Sequence, residues 1–177
     1  MALAGAAAIA ACGSSSSSSA ASSPGGALAS ASPAAAVTVS AKTVPGVGTV
    51  LVNGQGQTLY LLTSEQGGKI TCTDSNGCTT LWPEIALGHG MTAATAGSGA
   101  RSSLLGTVRD ASGHLEVTYN GWPLYTFAGD SGPGVAKGQG LTSFGGTWYV
   151  LNASGSPVTA SQSQSGNSSS SGGGYGY

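Results

Sequence analysis

The sequence predicts an all-β fold: short antiparallel hairpins in two related repeats, packed as one small sandwich or barrel-like domain with disordered termini. Two observations predict it. In VTYNGWPLYTFAGD, residues 117–130, Asn120-Gly121 stands between two runs that alternate apolar and polar residues. A type I′ hairpin turn needs positive φ at both central positions, and Asn and Gly tolerate it. The second observation is a weaker copy upstream. Thr58-Leu59-Tyr60-Leu61-Leu62-Thr63-Ser64-Glu65 aligns without a gap on Pro123-Leu124-Tyr125-Thr126-Phe127-Ala128-Gly129-Asp130, which suggests a duplicated β unit.

Taken in order, the chain begins with an apolar run of small residues that closes on Ile9-Ala10-Ala11-Cys12. Such a run followed by small residues has the form of a secretory signal over 1–12, and Ile-Ala-Ala-Cys looks like a bacterial lipobox with Cys12 as the lipidated residue. A diacylated cysteine provides the two chains that stable anchoring requires. Residues 13–43, dominated by Ser, Ala and Pro, are expected to be a flexible tether. The β-rich two-repeat domain is expected over 44–159, with a first hairpin of 47–53 and 57–62 and a short strand at 69–71.

With Cys12 assigned to lipid, Cys72 and Cys78 are expected to close a disulfide over the turn-forming Asp74-Ser75-Asn76-Gly77. The spacing is not that of a redox C-x-x-C pair, and no histidine lies inside the loop to suggest zinc. Residues 85–103 look irregular. A hairpin of 104–108 and 114–119 follows, whose alternation puts His114 and Glu116 together on a face expected to meet solvent. The strand 122–128 should turn Tyr125 and Phe127 to one side and Leu124 and Thr126 to the other. A last strand is expected at 147–151, and a disordered Ser/Gly/Tyr tail at 160–177.

Composition narrows the function. Lys and Arg number 5 against 6 Asp and Glu, for a net charge of −1, so there is no basic field for nucleic acid. The chain has 2 histidines and no G-x-S-x-G, H-E-x-x-H, Walker or Rossmann pattern, so no catalytic role is expected. His89 and Met91 on a Gly-rich loop, and His114, are weak candidates for metal. No cofactor is expected.

The lipobox, the tether, and two copies around Leu-Tyr with Cys72, Cys78 and Trp82-Pro83 between them resemble the bacterial lipoproteins called "secreted repeat of unknown function". Tyr125, Phe127 and Asp130 match that family's Tyr-x-(Phe/Trp/Tyr)-x-x-Asp motif in full. The first copy departs from it, with Leu62 at the aromatic position and Glu65 at the acid. The resemblance implies an extracytoplasmic domain held to the bacterial membrane through Cys12, and it brings no established activity. Together these readings point to a non-catalytic binding or structural role with a cell-wall or envelope protein partner. Tyr60, Glu65, Trp82, Tyr125, Phe127 and Asp130 are the candidate binding residues, although aromatic pairs of this kind also serve as core. The alternative is an envelope protein that handles redox equivalents, metal or haem.

Overall fold

The computed structural model describes residues 36–159. The leader 1–12 with Cys12, the stretch 13–35 of the tether and the tail 160–177 lie outside those residues. The described chain is mostly strand: β1 (Thr38–Val44), β2 (Gly48–Asn53), β3 (Tyr60–Leu62), β4 (Thr95–Ala96), β5 (Leu105–Arg109), β6 (Leu115–Tyr119), β7 (Trp122–Pro123), β8 (Thr142–Ser143) and β9 (Gly146–Val150). A single helical turn, α1 (Cys78–Leu81), joins three short 3-10 turns at Thr63–Glu65, Asp74–Asn76 and Ser102–Leu104.

The strands form three small sheets, β2-β1-β4, β3-β9-β8 and β5-β6-β7, which do not close into a barrel. Pairing is antiparallel except between β1 and β4. Single bridges continue the ladders from sheet to sheet: Val50 meets Asn152, Tyr60 meets Tyr125, and Ala86 meets Glu116. The all-β expectation holds. The turn at Asn120-Gly121 forms as predicted, with φ of 52° and 78°.

Three local expectations need correction. β1 starts at Thr38, inside the stretch expected to be tether, because Val39 and Val44 are buried and the strand pairs along its length with β2. Ser, Ala and Thr on its other positions had masked a strand as linker. Residues 69–71 form no strand; their backbone serves an acidic side chain instead, as described below. The start of the stretch 85–103, expected to be irregular, runs alongside β6: Val117 donates to Ile85 and Leu87 donates to Leu115, both at 2.8 Å.

Two hydrophobic clusters lie on opposite faces of the central strands. Strand residues alternate direction, so Val50, Tyr60, Tyr125 and Val150 enter one cluster while their neighbours Leu51, Leu61, Leu124 and Leu151 enter the other. Strands covered on both faces read as continuous apolar runs, which explains the fully buried Tyr60–Leu62. The first cluster also holds the disulfide between Cys72 and Cys78, whose Cα atoms are 5.1 Å apart.

The centre of that cluster is aromatic. Trp82 and Trp148 stack face to face, with centroids 3.8 Å apart and planes 2° from parallel. Gly138 lies against this stack: a Cβ there would come within 2.7 Å of Trp82 and 2.9 Å of Tyr60. Gly138→Ala is therefore expected to destabilise the domain by about 1–3 kcal/mol, the usual cost of overpacking. Urea denaturation should show this as a lower midpoint at unchanged slope.

Candidate functional site

The two repeat tyrosines face each other across one bridge. The Tyr60 N–H donates to the Tyr125 carbonyl at 2.8 Å, and the Tyr125 N–H donates back at 3.0 Å. Around this pair the two segments exchange partners. Tyr60 stands edge-on to Trp82 at 5.4 Å and 78°, and Tyr125 stands edge-on to Trp148 at 5.3 Å and 88°. Each motif acid serves the other copy's tyrosine. The Tyr60 hydroxyl donates to Asp130 Oδ2 at 2.8 Å, while Glu65 lies beside the Tyr125 hydroxyl and raises its pKa.

The acids also organise the loops that follow them. Asp130 Oδ1 accepts the Lys137 N–H at 2.8 Å, seven residues on. Glu65 Oε1 accepts the N–H of Cys72 at 2.7 Å, at the same offset, together with the Thr71 N–H. This is why 69–71 is no strand: its amides turn inward to a carboxylate.

The exchange is complete on one side only. The Tyr60 hydroxyl also accepts the Gly138 N–H at 3.2 Å, so it has both a donor and an acceptor. Burial and then the Asp130 contact push its pKa far up. On the other side, the Tyr125 hydroxyl, Glu65 Oε2 and Glu116 Oε2 are buried together without a well-formed hydrogen bond among the described residues, and the hydroxyl lies close enough to both carboxylates that Glu65 raises its pKa while it lowers that of Glu116. Burial drives the Tyr125 pKa up furthest, with Glu65 and Glu116 adding to it.

Glu116 is 3% exposed and so is not the solvent-facing partner of His114 that alternation suggested. β6 is the middle strand of its sheet, Ala86 bridges to Glu116 along its edge, and Glu116 shares a cleft with the disulfide loop. Desolvation first, then the charges of Glu84, Glu65 and Asp110, raise the Glu116 pKa to about 7. Glu116 lines a cleft of about 370 Å³ between the disulfide loop and the β5–β6 turn. Asp74, Glu84, Asp110 and His114 also line it. Asp110 accepts the His114 N–H at 2.8 Å and lies 3.3 Å from its ring. Although slight burial opposes it, the His114 backbone and ring hold the Asp110 pKa low.

The candidate residues from the sequence thus divide. Tyr60, Trp82, Tyr125 and Glu65 are buried core, Phe127 is half-buried against Trp82 at 4.4 Å, and Asp130 is held by Tyr60 and Lys137. None of these six lines the cleft. His89 sits on an exposed turn, and the described residues contain no group of three or more His, Cys, Asp or Glu that could hold a metal. Reading the sequence missed Glu84, Asp110 and Glu116 as site residues.

The family described as a secreted repeat of unknown function matches this chain over residues 106–152. That segment, from β5 through β9 and including Tyr125 to Asp130 and Trp148, is similar to the repeat of that family. Its description indicates an extracellular location, and no helix among the described residues is long and apolar enough to cross a membrane. No curated protein and no solved structure matches the chain.

Glu116 makes stability depend on pH. Its folded pKa of about 7 lies above the unfolded value near 4.5, so the folded state holds the proton more tightly. Its contribution is favourable below the unfolded value and is lost as pH rises through the folded one, to the order of 2–3 kcal/mol. The melting temperature is expected to fall between pH 5 and 8 (about the window set by the two values). Glu116→Gln, which carries no proton to lose, should flatten that profile. A second expectation concerns the disulfide. Replacing both Cys72 and Cys78 by Ser should cost about 2 kcal/mol for so short a loop. It should also loosen the Cys72 N–H on Glu65, read as faster hydrogen exchange at Cys72.

Proposed function

We propose that this protein is a lipid-anchored envelope domain that binds a ligand without transforming it, and that the acidic cleft floored by Glu116 is the binding surface. The observation that carries the reading is a cleft lined by the almost wholly buried Glu116 together with Asp74, Glu84 and Asp110, with no lysine or arginine in its lining. The motif aromatics are taken up in holding the two repeats together, so the binding role falls to the cleft.

The non-catalytic half of the reading is supported by where the titratable groups are engaged. His114 is held by Asp110, Asp130 by Tyr60, and one oxygen of Glu65 by backbone amides. The anchor rests on Ile9-Ala10-Ala11-Cys12 and on the secreted character of the matching family.

Cell fractionation of a bacterial host tests the anchor. The chain is expected in the membrane fraction with a diacyl mass on Cys12, and Cys12→Ala is expected to leave it. A thermal-shift panel of copper, zinc, calcium, haem, quinones and wall glycans tests the cleft. A rise in melting temperature abolished by Glu116→Gln is expected for a cleft ligand. A rise abolished instead by replacing His89 and Met91 would transfer the function to metal or haem handling.

A further inference from the structure

The two halves of the repeat exchange share one arrangement of hydrogen bonds, and the Tyr60 half shows it complete. There the Gly138 N–H donates to the Tyr60 hydroxyl, the hydroxyl donates to Asp130 Oδ2, and Asp130 Oδ1 accepts the Lys137 N–H. A donor, a relaying hydroxyl and a carboxylate anchored by its other oxygen stand in a row. The Tyr125 half has the last two members. Glu65 Oε1 accepts the Thr71 and Cys72 N–H groups and the Thr71 hydroxyl, and Glu65 Oε2 is left beside the Tyr125 hydroxyl. No N–H among the described residues takes the part of Gly138 at that hydroxyl.

Glu116 stands where the donor is needed. Tyr125 bridges Glu84, and Glu116 bridges Ala86, two residues further along the same segment. Bridged residues point to one face and residues two apart share it, so Tyr125, Glu84 and Glu116 project the same way. An ionised carboxylate has no proton to give the hydroxyl, and a protonated one has. With one proton on Glu116 Oε2, that oxygen donates to the Tyr125 hydroxyl, which donates to Glu65 Oε2. All three buried atoms are then paired. Without it, a single hydroxyl proton faces two buried carboxylates, and one stays unpaired, which native structures rarely allow. The two are held unequally: Glu65 has three donors on its other oxygen, while Glu116 borders the open cleft.

We propose that Glu116 is a pH-sensitive latch: protonated, it closes a hydrogen-bond chain through the Tyr125 hydroxyl to Glu65, and ionised, it turns out into the cleft. The proton lost from Oε2 passes to water in the cleft, and no other covalent bond changes. The groups around Glu116 favour the protonated form. Burial acts first, then the charges of Glu84, Glu65 and Asp110, against the Tyr125 hydroxyl, and the change falls at about pH 7. Asp74 lines the cleft from the disulfide loop, His114 is engaged by Asp110, and no lysine or arginine lines it. The latch therefore holds below neutrality and opens above it, adding a negative charge to the cleft. The device is independent of what the cleft binds.

The test is NMR of the full chain at about pH 6 and about pH 8, where a group titrating at about 7 is roughly nine-tenths protonated and nine-tenths ionised. The side-chain carboxyl resonance of Glu116 is expected to titrate between the two, while that of Glu65 stays ionised. Cross-peaks from the Glu116 side chain to the Tyr125 ring are expected at the lower pH and lost at the higher. Glu116→Gln, whose amide donates at either pH, should keep them at both. Tyr125→Phe, which keeps the ring and removes the relay, should lose them at the lower pH as well. A Glu116 already ionised at the lower pH, a titrating proton on Glu65 instead, or cross-peaks that survive ionisation would each overturn the latch. So would cross-peaks unchanged in Tyr125→Phe, since the hydroxyl would then hold nothing. If Glu116→Gln does not fold, the titration of the unaltered chain decides. A cleft that binds no ligand leaves all of these readouts as they are.

Discussion

The structure depends on one exchange: Tyr60 and Tyr125 bond backbone to backbone, and each reaches the acid that follows the other. Neither repeat is complete alone. A tyrosine buried with its own segment would leave a hydroxyl without an acceptor, at a cost comparable to a lost hydrogen bond. Swapping acids places each carboxylate beside the partner's tyrosine, and the two tryptophans close the gap by stacking. The aromatic pairs contribute specific geometry beyond their buried area.

The exchange also explains the disulfide loop. Glu65 accepts the Cys72 N–H, and Cys72 is tied to Cys78 at the start of α1, which ends beside Trp82. The loop from acid to tryptophan is therefore fixed at both ends and along its middle. The corresponding loop after Asp130 has no disulfide and is held by the Lys137 and Gly138 amides instead. Two loops in equivalent positions reach the same aromatic stack by different means. Only the disulfide loop borders the acidic cleft.

That difference is where the chain departs from internal consistency. Sequences that specify one structure satisfy their buried polar groups, and departures tend to fall at functional sites. The Tyr60 half is satisfied. The Tyr125 half packs two carboxylates around one hydroxyl, beside a cleft with further acids. Desolvation first, and then repulsion from Glu84, Glu65 and Asp110, lifts the Glu116 pKa toward neutrality, with the Tyr125 hydroxyl opposing it.

The sequence by itself determined the fold class, the hairpin turn at Asn120-Gly121 and the disulfide. Each of these is a local property: alternating short runs, positive φ at Asn and Gly, two cysteines a short loop apart. Tertiary structure alone decided which residues face a ligand. Trp82, Tyr125 and Phe127 could be read as binding platform or as core because aromatics in a polar chain serve as either, and only the tertiary packing sends them inward. Glu116 looked solvent-facing because alternation assigns a residue to a face without saying what covers that face. The β1 strand hid in a Ser- and Ala-rich stretch because its stability comes from pairing with β2 rather than from its own pattern. Strand pairing and burial are long-range quantities, and no window of sequence contains the partner that settles them.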